Sequence, residues 1–159
     1  MVILGIDPGT TRIGYGLIEK TNNKLFCLDY GVIENPGKDK ETDYKSTFTR
    51  LSALISKYSP DISALEQIYF FKNQKTIISV SEMRGVLRYA LAHHGVPVRE
   101  FTPLQVKQAV SSYGRADKDQ VQRMVRLILN IKPVIRPDDA ADGLAIAICC
   151  ANNIIANIK

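Results

Sequence analysis

No stretch of this 159-residue chain approaches the run of about 20 apolar residues that a membrane-spanning helix requires. The segment Val2 to Ile6, between the initiator Met and Asp7, is too short for the apolar core of a secretory leader, so the chain is expected in a bacterial-type cytoplasm with no membrane contact. Cysteine is scarce. Cys27, Cys149 and Cys150 are odd in number and the last two are adjacent in an apolar stretch, which argues against a disulfide framework and for small, reduced core residues. Low-complexity tracts are missing too, which leaves no linker or disordered tail. The length fits one domain over residues 1–159, and a chain of this size buries roughly 70% of its unfolded surface.

Acidic residues are in the minority, 16 against 21 Lys and Arg. The net charge of +5 and a pI near 9.1 favour polyanionic partners, nucleic acid among them.

What is present alternates between strand and helix patterns. Val2 to Ile6 is an uninterrupted apolar run closed by Asp7-Pro8-Gly9, the pattern of a strand buried on both faces before a tight turn. Gly14 to Glu19 and Leu25 to Glu34 read as two more strands, with Asn22-Asn23 as the turn between them. Thr42 is the expected N-cap of a helix whose Phe48, Leu51, Leu54 and Ile55 recur at helical spacing until Ser59-Pro60. Ile62 to Ile68 is a short strand carrying Glu66. Thr76 to His93 is a helix, and Pro97 to Phe101 a further strand. Thr102-Pro103 and Asp117 each start another helix, and a last one, apolar almost all round, runs from about Asp138 toward Ile155. An antiparallel opening followed by parallel crossovers predicts an α/β fold of RNase H-like order: a mixed five-stranded sheet, its first three strands antiparallel, flanked by helices.

In such a sheet ligands gather at the carboxyl ends of the strands, where Asp7 and Glu66 both fall. The residues alone leave alternatives open. Asp7 could cap the turn with Gly9 and Thr10, and Glu66 could be an exposed strand-end acid paired with a lysine. Asp139 and Asp142 lie three residues apart, so both project from one face of the last helix. Asp138 and Asp139 also suit the positive helix terminus after Pro137, but Asp142 stands deeper among Ala, Leu and Ile and wants a cation. Four converging carboxylates repel one another and suit hard divalent ions such as Mg²⁺, with Mn²⁺ as a substitute. Two ions about 4 Å apart would activate a water and stabilise the departing oxygen of a phosphodiester. Histidine is not needed; His93 and His94 sit at a helix end.

These residues also carry a resemblance. Leu4-Gly5-Ile6-Asp7-Pro8-Gly9 with Gly14-Tyr15-Gly16, Leu65-Glu66-Gln67 with Lys72-Asn73, and Arg84-Gly85-Val86 open the pattern. Gln105-Val106-Lys107-Gln108, Lys118 with Gln120-Val121-Gln122, and Met124-Val125-Arg126 continue it, and the run from Asp139 to Ala147 closes it. In this order and spacing the chain resembles the RuvC-type Holliday junction resolvases along nearly its whole length. The resemblance implies that Asp7, Glu66, Asp139 and Asp142 are catalytic metal ligands. It implies a homodimer making symmetric, Mg²⁺-dependent paired nicks in four-way junction DNA, leaving 5′-phosphate and 3′-hydroxyl ends, with a RuvAB-like branch-migration motor as partner. Lys107 and Lys118 match basic positions near the scissile phosphate, and Tyr69 stands where the family places a base-stacking aromatic, often Phe. The helix from Thr76 would contribute to the dimer interface.

Three rivals are weaker. Asp7 to Thr11 resembles a phosphate loop of actin-like ATPases, but the chain holds no second copy of it. A related RuvX-like nuclease shares the first acidic strand, though Lys107 and Lys118 favour the resolvase. A branched-DNA binding module without cleavage would be expected to lack at least one of the four acids.

Overall fold

The computed structural model describes residues 1–37, 39–67, 74–111, 114 and 116–154. Its strands are β1 (Val2–Asp7), β2 (Arg12–Thr21), β3 (Lys24–Glu34), β4 (Ile62–Glu66) and β5 (Val98–Phe101). The helices are α1 (Lys40–Tyr58), α2 (Gln74–His93), α3 (Pro103–Ser111), α4 (Lys118–Ile128) and α5 (Asp138–Asn153). The sheet order is β3-β2-β1-β4-β5. Pairing is antiparallel from β3 to β1 and parallel from β1 through β5, the mixed arrangement expected.

Strand β1 is central because its apolar residues face two ways. Leu4 and Ile6 join Leu17, Leu65, Leu51, Met83 and Leu87 in one cluster under α1 and α2. Ile3 joins Ile18, Ala64 and the long apolar run of α5 in the other. Strict alternation along a strand sends neighbouring residues to opposite faces, so a strand buried on both faces reads as a continuous apolar run. Helix α5 is apolar all round because it is covered by α3 and α4 on one side and by the sheet on the other. Cys149 and Cys150 are both buried within it.

Several boundaries differ from the sequence-based expectation. The N-cap of α1 is Asp39 rather than Thr42: the Asp39 carboxylate accepts from the Thr42 backbone N–H at 2.7 Å, so Thr42 is already inside the helix. Asp outranks Thr slightly as a cap, and it stands three residues earlier in the chain. Ser59, in the left-handed region at φ 44°, closes α1 before Pro60. Strand β2 begins at Arg12 instead of Gly14, and β4 ends at Glu66 instead of Ile68. The Asn22-Asn23 turn is present between paired Thr21 and Lys24, with Asn22 taking φ 56°. No helix of the described residues is long and apolar enough to cross a membrane.

Candidate active site

Sheet register determines where the first two acids stand. The face of β1 that holds Ile3 and Gly5 also holds Asp7, and the face of β4 that holds Ala64 also holds Glu66. Ile6 pairs with Leu65 in the parallel β1–β4 ladder, so Asp7 and Glu66 occupy the next position side by side. Both carboxylates therefore lie at the carboxyl ends of adjacent parallel strands, on the side covered by α5.

Helix α5 brings the other two, and it does so by lying directly on the strands. A Cβ at Gly14 would stand 1.9 Å from the Asp139 carbonyl oxygen, and one at Gly5 would stand 2.2 Å from that of Gly143. Only hydrogen fits at these two crossing points, which is why glycine occupies them. With the helix this close, carboxylate oxygens of Asp7, Asp139 and Asp142 all lie within 4.8 Å of one another. Glu66 is not part of this tight trio, yet it lines the same cleft of about 310 Å³, together with Asp7, Asp142, Lys107 and Lys118.

The two lysines come from two capped helices, Lys107 from the middle of α3 and Lys118 from the start of α4. Thr102 and Gln105 cap α3 reciprocally, the Gln105 N–H donating to Thr102 Oγ1 at 3.1 Å and the Thr102 N–H to Gln105 Oε1 at 2.8 Å. Asp117 and Gln120 repeat this capping box at α4 and leave Lys118 as its first residue. Lys118 Nζ stands 3.4 Å from Asp142 Oδ2 and 3.6 Å from Asp138 Oδ2. Asp138 thus pairs outward with Lys118 and also accepts from the Gln122 side chain at 3.4 Å.

Two lysines against four acids and Asp138 leave the cluster short of positive charge. Burial, with Glu66, Asp142 and Asp139 as neighbours, pushes the Asp7 carboxyl up to about 7, against the pull of Lys118. Burial and Asp142 likewise push Glu66 up to about 7, with Lys107 acting in the opposite sense. Asp142 is also raised, by burial first, in spite of Lys118. Burial alone would lower Lys118, but Asp142 and its neighbours hold it above the ordinary lysine value. Oxygen-only donors that converge within one cation's reach and retain protons for want of counter-charge fit a hard divalent ion. The Thr10 carbonyl in the following turn accepts from the Asn35 side chain at 3.0 Å.

Between the unfolded values of 3.8 and 4.5 and the folded values near 7, the native chain holds more protons than the unfolded one. Stability of the metal-free protein is therefore fully present below about pH 4 as far as these two groups are concerned, and falls as pH rises toward 7. Melting in EDTA is expected to drop by several degrees between pH 5 and pH 8. Mg²⁺ would restore more at pH 8 than at pH 5, because protons and cation compete for the same oxygens. A melting temperature in EDTA that rises over this interval would count against the cluster.

Of the residues expected at the site, Asp7, Asp139 and Asp142 come together, with Glu66, Lys107 and Lys118 lining the cleft. Tyr69 lies outside the described residues, as do Phe70 and Phe71. Local sequence pattern assigns no role to the glycine contacts beneath α5 or to Arg84. The spacing of Gly14 and Gly16 on one strand face was a signal for the first; a charged residue beside an apolar helical stripe was only a weak signal for the second.

The family model for the crossover junction endodeoxyribonuclease RuvC matches residues 3–150. A crossover junction endodeoxyribonuclease RuvC from Halothermothrix orenii is 49% identical over 160 residues, covering 100% of this chain and 97% of its own length. The structure of Thermus thermophilus RuvC is similar at a TM-score of 0.85 and 34% identity, covering 95% of this chain and 93% of that one. The T. thermophilus RuvC in complex with Holliday junction substrate reaches 0.89 at the same identity and coverage. The yeast mitochondrial Holliday junction resolvase Ydc2, at 18% identity and a TM-score of 0.64, shares the fold.

Proposed function

Because the chain belongs to the RuvC family of crossover junction endodeoxyribonucleases, we propose that it resolves Holliday junctions with the acid cluster at the carboxyl ends of β1 and β4. The observation that carries this reading is the convergence of Asp7, Asp139 and Asp142 within 4.8 Å, beside Glu66 and under two lysines. Asp7, Glu66, Asp139 and Asp142 would hold Mg²⁺, two ions per site, with Mn²⁺ able to substitute. When bound, the divalent ions supply charge stabilisation for the phosphodiester and for the oxygens that enter and leave it.

The chain's own residues orient the substrate. Lys107, midway along α3, and Lys118, at the start of α4, both line the cleft, where their ammonium groups meet a backbone phosphate and hold it over the acids. Lys118 already leans on Asp142, so phosphate and carboxylates share it, and its charge offsets their repulsion until the cation arrives. Hydrolysis then breaks the bond to the 3′ oxygen and leaves the phosphate on the 5′ end. The chain works as one nuclease domain over residues 1–159, in the cytoplasm, where junction DNA and a RuvAB-like branch-migration motor are found.

Symmetric paired nicks require two sites, hence a homodimer. Ile78, Gly85 and Tyr89 form one stripe on the outer side of α2; the two large side chains are each 63% exposed, and a Cβ at Gly85 would meet nothing within 4 Å. An apolar stripe of this kind on a long helix suits a twin. Ile78→Asp is expected to shift the protein from dimer to monomer in sedimentation velocity without lowering the melting temperature of the monomer. A dimer unchanged in that variant would move the interface elsewhere.

The direct test incubates the protein with an end-labelled mobile four-way junction with and without Mg²⁺, beside linear duplex and RNA–DNA hybrid controls. Symmetry-related paired nicks confined to the junction and dependent on Mg²⁺ are expected. Preferential cleavage of the hybrid would favour a RuvX-like activity, and binding without any cut would leave a recognition module.

A further inference from the structure

Resting on the reading of Glu66 as a metal ligand, we infer that Arg84 is a positioning residue, one that fixes the end of β4 and so directs the Glu66 carboxylate into the acid cluster. Glu66 is the last residue of its strand, and the β1–β4 ladder ends one position earlier, at Ile6 and Leu65. Its backbone carbonyl thus lies past the final pair of that ladder, and a polar backbone group at such a place needs a partner. Arg84, from α2 on the opposite face of the sheet, donates Nη1 to this carbonyl. Its Nη2 stands 2.7 Å from Glu100 Oε1 on β5, the same oxygen that Arg88 Nη1 contacts. The Gln67 N–H donates to the Phe101 carbonyl at 2.8 Å and completes the clamp.

This arrangement is built for position. The Arg84 side chain is only 13% exposed, so its charge is held where its two partners satisfy it. A planar guanidinium can serve a carboxylate and a carbonyl at once, which the point charge of lysine cannot do. Glu66, for its part, stands outside the tight trio of carboxylates and forms no ion pair among the described residues, so its backbone is what sets its reach. Asp139 and Asp142 are fixed by a helix pressed on glycines; Glu66 sits at a strand end that is paired with Phe101 of β5 on one side and held by the arginine past the end of the β1 ladder.

The test measures Mn²⁺ binding to the full chain by titration calorimetry, with melting in EDTA as the record of stability. Arg84→Met is expected to weaken Mn²⁺ binding by about tenfold, in the range found when a ligand loses its supporting hydrogen bond. In a Glu66→Gln background the same substitution is expected to change affinity by less than about twofold, because the carboxylate it positions is gone. Glu100→Gln, which loosens Arg84 without touching the carbonyl, is expected to fall between Arg84→Met and wild type. Equal losses with and without the Glu66 carboxylate, or wild-type affinity in Arg84→Met, would overturn the assignment. If Arg84→Met does not fold, Arg84→Lys decides: it should bind Mn²⁺ more weakly than wild type, and unchanged affinity would overturn the inference. A wild-type chain that takes up no Mn²⁺ would instead remove the metal reading itself, and this inference with it.

Discussion

Asp7→Asn is expected to lower junction cleavage by at least about 10³-fold while leaving junction affinity within about threefold of wild type. A thousandfold corresponds to about 4 kcal/mol of lost transition-state stabilisation, within what a catalytic metal contributes. The substitution keeps the side chain's volume and one oxygen but removes the charge at the centre of the cluster, where Glu66, Asp142 and Asp139 all act on it. DNA affinity depends instead on phosphate neutralisation by the basic surface, which Asp7 opposes if anything. The same reasoning gives a second readout. At pH 8 in EDTA an ionised Asp7 is held in a partly buried, anion-rich place, so the asparagine variant should melt higher by a few degrees. Paired measurements of nicking rate, gel-shift affinity and melting would separate these effects. A variant that bound junctions poorly or melted lower would assign Asp7 to the fold and not to the chemistry.

Gly14→Ala is expected to be the most damaging small substitution outside the acids. The added methyl would stand 1.9 Å from the Asp139 carbonyl oxygen and 2.5 Å from its carbonyl carbon, both backbone atoms with no freedom to rotate away. Either α5 lifts from β2 or β2 bends, and overpacking that forces backbone shifts costs about 3 kcal/mol. For a chain of this size that is a melting temperature lower by about 6–12 °C. Because the displaced segment carries Asp139 and, one turn on, Asp142, Mn²⁺ uptake should fall with stability and more steeply than stability alone explains. Gly85→Ala is the control. It lies mid-helix with nothing of its own chain within 4 Å of the added methyl, so in the Ile78→Asp monomer, where the proposed dimer stripe is not engaged, it should be neutral or stabilise by up to about 1 kcal/mol through helix propensity. Equal tolerance of the two substitutions would mean that α5 is not seated as closely as the glycines require.

The apolar run before Asp7 announced a central strand, and the interrupted strand at Glu66 announced an acid at a parallel strand's end. The i, i+3 pair Asp139 and Asp142 announced a shared helix face. The N-cap of α1 at Asp39 rather than Thr42 shows the limit of local reading, since both residue types cap helices. Tyr69 remains an expectation carried by resemblance.

Sequence by itself determined which residues alternate, where α3, α4 and α5 start and which acids reach the strand ends, because these depend on period and on neighbours a few positions away. Tertiary structure alone decided that three of the four acids meet within 4.8 Å while Glu66 stands apart on a strand end gripped by Arg84 from the far face. Those distances come from how closely α5 can approach the sheet and from which α2 side chain reaches past its edge. Both depend on segments tens of residues apart, which local pattern cannot encode.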